Sequence, residues 1–284
     1  MMAIKNKKRI ILYILGAPLL IATLLVLWAF VIEPNRVVVN TVEIKIPAWP
    51  AAFAHLKIVA ISDLHAGRPY INEAKLEKVV EMANATEPDL IVLLGDFIAR
   101  DKDENLLMTP EIIASKLKGL HARYGVYAVL GNHDWNFNGE RVTRALEAAG
   151  IRVLENDVAP IQHDGQTVWL LGVPDFWMRQ PIDIRPALAK INAPGPVIAL
   201  THNPDVFPTL PPNVSLTLAG HTHGGQVNIP FYGRPIVPSQ YGERYAAGYI
   251  QENNRQLFVT TGIGTTGLAV RFRVPPEIAV LTIN

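Results

Sequence analysis

Short apolar runs that stop at polar, ligand-bearing residues recur along this chain. Leu56–Ser62 stops at Asp63, Asp89–Leu94 at Gly95-Asp96, and Val126–Leu130 at Gly131-Asn132. Runs of this length predict buried strands. Between them, residues 72–84 place Leu76, Val79, Val80 and Ala83 on one stripe and predict an amphipathic helix, as do Pro110–Leu120 and Glu140–Ala149. Gly150 fits the carboxy-terminal cap of the last. The alternation of strand and helix implies right-handed crossovers and a largely parallel sheet. Each polar terminus then falls at the carboxy end of a strand, where open α/β sheets place their sites.

After residue 151 the pattern turns strand-rich, with runs at 168–173, 197–200, 215–219, 257–260 and 278–283 punctuated by Pro and Gly. A second sheet stacked on the first, with helices outside, accommodates them. Val42, Ile44 and Ile46 alternate with polar neighbours and predict one earlier strand within the linker 33–52. The expected organisation is a basic tail at 1–9, an apolar segment at 10–32, a linker with a first strand at 33–52, and one catalytic domain at 53–284.

Ile10–Ile32 carries no charged residue. As a helix it reaches roughly 34 Å, enough for a hydrocarbon core of about 30 Å. Lys5, Lys7, Lys8 and Arg9 precede it, so the positive-inside rule puts the amino terminus in the cytoplasm and the remainder on the far side. Trp28-Ala29-Phe30-Val31-Ile32 offers no good small-x-small cleavage site, which favours an anchor over a cleaved signal.

The chain has 284 residues, 49% of them hydrophobic, and a formal net charge of +1. Beyond the basic tail there is no long Lys/Arg run, so nothing calls for a nucleic-acid partner held through its phosphates. Cysteine is absent, which excludes disulfides and thiolate metal sites.

Five segments hold the candidate chemistry: Asp63-Leu64-His65, Gly95-Asp96, Gly131-Asn132-His133-Asp134, Thr201-His202-Asn203 and Gly220-His221-Thr222-His223. Five of the eight histidines lie in them. Asp63, His65, Asp96, Asn132, His202, His221 and His223 offer carboxylate, amide and imidazole donors, a set that favours manganese, iron or zinc over calcium. Asp96 suits a bridging role, and two ions about 3.5–4 Å apart clamp a phosphate and hold a hydroxide for in-line attack. His133, next to a ligand, is the natural proton donor to the leaving oxygen, with Asp134 expected to hydrogen-bond its ring. An alternating backbone at His221-Thr222-His223 is expected to point both rings the same way. Arg68, Trp177, Arg244 and Arg271 are further candidates for substrate contacts.

These residues, in this order, resemble the calcineurin-like metallophosphoesterase superfamily. The resemblance implies an α/β fold, a four-layer α-β-β-α sandwich of two stacked mixed sheets, here preceded by one transmembrane helix. It also implies one metal on Asp63, His65, Asp96 and His223, a second on Asp96, Asn132, His202 and His221, and His133 at the substrate. The membrane segment, Gly220–Val227 and the tail around Thr261–Gly267, Arg271-Phe272 and Pro275–Ile278 are similar to membrane-anchored bacterial phosphoesterases of the YkuE/YaeI kind. That branch implies a single-pass protein of the bacterial cytoplasmic membrane acting on a phosphodiester, phosphomonoester or pyrophosphate, with a lipid-linked phosphate as one substrate class. Some relatives are UDP-2,3-diacylglucosamine pyrophosphatases of lipid A synthesis. UDP-linked sugars are cytoplasmic, so that activity conflicts with the topology read from the charges. A non-catalytic scaffold on the same fold and a metallohydrolase acting on a carbon ester or amide are the remaining alternatives, and no ligand position has been lost to support the scaffold.

Overall fold

A computed structural model describes residues 16–253 and 255–284. Residues 1–9 and the start of the apolar segment lie outside the described residues. The first described element, α1 (Gly16–Asn35), is long and apolar enough to cross a membrane and is exposed over most of its length. Its foot is attached to the rest of the protein. Ala29, Glu33 and Pro34 are buried. The Arg271 amide donates to Ala29 O (2.9 Å) and the Val274 amide to Glu33 Oε1 (2.7 Å). Tyr70 Oη also donates to the Phe30 carbonyl.

Two six-stranded mixed sheets stack face to face. The strands are β1 (Val38–Ile44), β2 (Leu56–Ile61), β3 (Leu90–Leu93), β4 (Val126–Ala128), β5 (Arg152–Val153), β6 (Asp157–His163), β7 (Gln166–Gly172), β8 (Val197–Leu200), β9 (Val214–Ala219), β10 (Gly248–Glu252), β11 (Arg255–Val259) and β12 (Glu277–Ile283). The first sheet runs β1-β12-β2-β3-β4-β5 and the second β10-β11-β9-β8-β7-β6. The predicted β2, β3, β4 and β8 stand within two residues of their expected bounds, whereas β6 and β10 lack a continuous apolar run and were not expected. The linker strand β1 pairs in parallel with β12, the last strand of the chain, and β12 pairs antiparallel with β2. The run at 278–283 therefore belongs to the first sheet, not the second.

Strand periodicity explains the layers. Along β2, Ile58 and Ala60 face the second sheet, meeting Leu170, Ile198 and Leu218, while Val59 and Ile61 face the helices. Those helices are α2 (Glu73–Asn84), α3 (Pro110–Leu117) and α4 (Asn132–Ala148). Asn72 and Thr109 cap α2 and α3 through their side-chain oxygens. On the far face of the second sheet, Trp169, Leu171 and Ala199 pack with Ala187 of α5 (Arg185–Leu188) and Val206 of a 3-10 turn. The order helix, sheet, sheet, helix is the four-layer sandwich the residues imply.

The helix expected at Glu140–Ala149 starts eight residues earlier, at Asn132, with a kink at Asn138 (φ −172°, ψ 85°). The Gly131-Asn132-His133-Asp134 segment thus forms the junction into α4 and its first turn, and hydrophobic periodicity does not report a polar first turn.

Candidate metal centre

All five segments meet at the carboxy ends of β2, β3, β4, β8 and β9. Asp63, His65, Asp96, His202, His221 and His223 are buried there. Three sets of donor atoms converge: Asp63 with His65 and His223, His65 with Asp96 and His133, and Asp96 with His202 and His221. Asp96 belongs to two of the three, the position a bridging carboxylate needs. Its Oδ2 lies 3.6 Å from His65 Nε2 and 3.2 Å from His202 Nε2. His65 Nε2 and His223 Nε2 are 3.1 Å apart, and so are His221 Nδ1 and His202 Nε2.

Backbone conformation aims these side chains. Asp63, His65, Asp96, His221 and His223 all have φ between 44° and 70°. Left-handed non-glycine residues are costly, at ~1–3 kcal/mol each, and cluster at functional sites. At Asp63 and His65 this turn sends both ligands into the site while Leu64 returns to the core. The same geometry corrects the expectation for His221-Thr222-His223. Thr222 is right-handed (φ −75°, ψ −17°) between two left-handed histidines, so the segment is coiled rather than alternating. The two rings face different partners: His221 faces His202, and His223 faces His65 and Asp63. Close packing also demands glycine beside the ligands. A Cβ on Gly131 would overlap the Asp96 carboxylate, and one on Gly220 the Ser62 hydroxyl.

Electrostatics prepare the donors. Burial pushes His65 and His221 down to about 3 and His223 well below its ordinary value, so these rings stay neutral with lone pairs available. Burial opposes charge on His202 too, but the Asp96, Asp63 and Asp175 carboxylates outweigh it and push that ring up to about 10. Burial also lifts Asp63 to about 6. Carboxylates this deep require positive charge, which divalent ions supply. His202 Nδ1 lies 2.7 Å from the Leu94 carbonyl, the outer hydrogen bond that orients a metal-binding imidazole and turns Nε2 toward Asp96. Asn132 Oδ1 is buried and accepts no hydrogen bond. An oxygen and nitrogen donor set with an orphaned amide oxygen fits divalent transition metals.

The remaining candidates separate. His133 sits at the edge of the cluster, its ring edge-on to His65 with centroids 4.8 Å apart and its side chain one-third exposed. Its Nε2 is 4.0 Å from Asp96 Oδ2. Asp134 does not serve the His133 ring as expected. It is fully buried, Oδ2 accepts from the amides of Asp96 (2.8 Å) and Gly131 (2.9 Å), and Oδ1 accepts from Phe97 (2.9 Å) and Ile98 (3.2 Å). Burial and the Asp96 carboxylate push it up to about 7, against those four donors. Asp134 is a positioning residue that ties the β3 and β4 termini together.

Arg271 is likewise structural: it is fully buried and donates to the carbonyls of Val274 (3.0 Å), Thr261 (2.8 Å), Gly262 (3.2 Å) and Gly264 (2.6 Å). Arg244 is paired side-on with Glu252 at 2.6 and 2.7 Å, so its fork is already filled. Arg68 stays a candidate, with a buried Nε that has no partner and a guanidinium close enough to His65 to lower its pKa. Trp177 stands edge-on to His221 with ring centroids 4.3 Å apart. Sequence reasoning missed the residue that holds it, Asp175, whose Oδ1 accepts from the amides of Trp177 (3.0 Å) and Met178 (2.8 Å). Its only signal was the Pro-Asp that follows a buried strand.

The fold and the site define a metal-dependent phosphoester hydrolase. Comparison with known proteins agrees: residues 56–225 match the calcineurin-like phosphoesterase family, and the chain belongs to it. It is 33% identical over 260 residues to the metallophosphoesterase YkuE of Bacillus subtilis, covering 90% of this chain and 89% of that protein. It is 30% identical over 232 residues to the phosphodiesterase YaeI of Escherichia coli, covering 80% and 82%. It is also 29% identical over 323 residues to the UDP-2,3-diacylglucosamine pyrophosphatase LpxG of Chlamydia trachomatis, covering 94% of each chain.

Proposed function

We infer that this protein is a membrane-anchored dinuclear-metal hydrolase of a phosphodiester or pyrophosphate bond, in a substrate presented at a membrane surface. The observation that carries the reading is the convergence of buried, uncommitted donors on Asp96. Asp63, His65, Asp96 and His223 would hold one ion, and Asp96, Asn132, His202 and His221 a second. Manganese, iron or zinc bound there supplies an activated water at neutral pH and positive charge for the phosphate oxygens.

The chain's own groups do the rest. Neutral His65, His221 and His223 present lone pairs without competing protons. His133, partly open to solvent, protonates the departing oxygen. Arg68 pairs with a phosphate oxygen through its fork. Trp177 walls the side of His221. Asp134 keeps Asp96 and Asn132 in register through the backbone.

Anchoring is supported by the length and exposure of α1, and the basic residues before it favour a catalytic domain outside the cytoplasm. The resemblance to LpxG over nearly the whole of both chains favours a second reading, a UDP-2,3-diacylglucosamine pyrophosphatase, which requires the opposite topology. The reaction is tested by manganese-supplemented hydrolysis of an aryl phosphodiester by the full chain beside Asp96→Asn. Turnover in the wild type alone is expected, and equal turnover in both sinks the reading. Topology is tested by Arg144→Cys, an exposed site in a cysteine-free chain, with a membrane-impermeant maleimide on intact cells. Labelling without lysis is expected; labelling only after lysis makes the UDP-lipid the substrate to test first.

A further inference from the structure

An apolar groove of about 400 Å³ is lined by the candidate metal ligand His223 and by residues of two loops. One wall is Gln226-Val227 with Ile236, the other Leu268 and Val270. Gln226 ties the walls together: its Oε1 accepts from the Thr266 amide (2.7 Å), and its Nε2 donates to Leu268 O (3.2 Å). At the mouth, Ile236 and Leu268 are 75% and 71% exposed. Beside it the tight turn Ile229–Gly233 carries a fully exposed Phe231 and an exposed Tyr232. Isolated exposed apolar side chains are ordinary, but large ones gathered around one opening mark a binding surface.

The candidate span stands next to this opening. Arg271, which follows Val270 of the groove wall, donates its amide to Ala29 O of α1 (2.9 Å). The segment carrying the turn is paired to the same stretch, since the Asn228 amide donates to Phe272 O and the Phe272 amide to Gln226 O, both 2.9 Å. The helix foot, the groove wall and the exposed turn are therefore one hydrogen-bonded unit. If α1 lies in a bilayer, the groove wall stands close to that bilayer's surface.

The geometry points to a subsite for the hydrocarbon chain of a bilayer-borne phosphoester, with Ile236, Leu268 and Phe231 seated in the interface and His223 at the inner end, where the phosphate meets the metals. The candidate ligand His223 is part of the groove's lining, so the occupant assigned to it is the apolar chain of the substrate itself. Arg68, within 3.5 Å of the Gly267 carbonyl and close to His65, stands at the junction where the chain gives way to the phosphate. This assignment rests on the phosphoesterase reading.

Two measurements on the full chain in lipid nanodiscs test it. The first is photolabelling of chelator-treated protein with hexadecyl phosphate carrying a mid-chain diazirine. Crosslinks within 226–238 and 265–270 that disappear in Ile236→Glu and Leu268→Glu are expected; labelling confined to α1, or unchanged in both variants, overturns the subsite. The second compares methyl and octyl p-nitrophenyl phosphates, which share one leaving group. Burial of the longer chain raises kcat/KM at least about tenfold in the wild type, and the two variants bring the octyl-to-methyl ratio to near one. A ratio near one in the wild type, or one the variants leave intact, overturns the subsite. Absence of turnover of both esters in the manganese-loaded wild type fails the reaction class itself, a result distinct from a lost chain preference.

Discussion

Replacing Asp134 by Asn leaves shape nearly unchanged and inverts the hydrogen bonding of one oxygen. In the native protein Oδ1 and Oδ2 each accept from two buried backbone amides. An Asn amide can serve only one of those pairs, so the other two N–H groups face an NH2. Each orphaned buried donor costs ~1–3 kcal/mol, and removing the charge whose burial lifts Asp134 to about 7 offsets part of this, leaving about 2–3 kcal/mol. For a domain of this size that lowers Tm by roughly 5–10 °C. The amides of Asp96 and Gly131 share one of the two oxygens, so the same change loosens the bridging ligand and weakens metal binding by about 10–100-fold, the usual effect of losing an outer support. The assay is tryptophan-monitored thermal unfolding near pH 8.5, about 1.5 units above the Asp134 value, with manganese titration of hydrolysis alongside. If Asp134 instead served the His133 ring, Asn would leave unfolding unchanged and shift only the pH profile of kcat. A variant of native stability with that profile change refutes the positioning role.

Other expectations follow from the same structure. Dialysis against a chelator abolishes hydrolysis and manganese restores it; each ion at a hundred times its Kd also adds about 2.7 kcal/mol of stability, so Tm falls with the metal. Activity that survives chelation rules out the metal centre. Arg271→Met strips donors from four buried carbonyls and costs about 3 kcal/mol or more, measured by urea unfolding; a stability within error of wild type means those carbonyls find other partners. The Arg141 hydrogen bonds hold Glu111 down at about 2 from an ordinary 4.5. A depressed carboxylate stabilises above its unfolded value and loses that effect as pH falls toward the folded one. The small Tm advantage of wild type over Glu111→Gln therefore shrinks below pH 4.5, and an advantage that grows with acid contradicts the pairing.

Local patterns announced most of the catalytic machinery. Apolar runs predicted β2, β3, β4 and β8 because burial on both faces leaves a continuous signature, and the polar residues that end those runs are the candidate ligands. Helices α2 and α3 form where they are expected, and the structure starts them at the Asn72 and Thr109 caps. The donor types at Asp63, His65, Asp96, Asn132, His202, His221 and His223 defined the chemistry before any geometry was known.

Tertiary structure decided which groups those residues meet. Asp134 reads in sequence as the partner of the His133 ring and Arg271 as a substrate contact, yet each is buried and held by backbone groups. Arg271 reaches carbonyls three to ten residues away along a loop without periodicity. The last strand, β12, inserts between β1 and β2, a pairing between chain ends that no local pattern encodes. The groove beside His223 is assembled from Pro- and Gly-rich loops whose apolar residues look scattered until Gln226 and the Phe272 pairing bring them together. Side-chain chemistry and burial periodicity are properties of neighbouring residues, so the sequence carried them. Long-range hydrogen bonds and the left-handed turns that aim the ligands depend on the whole packed chain.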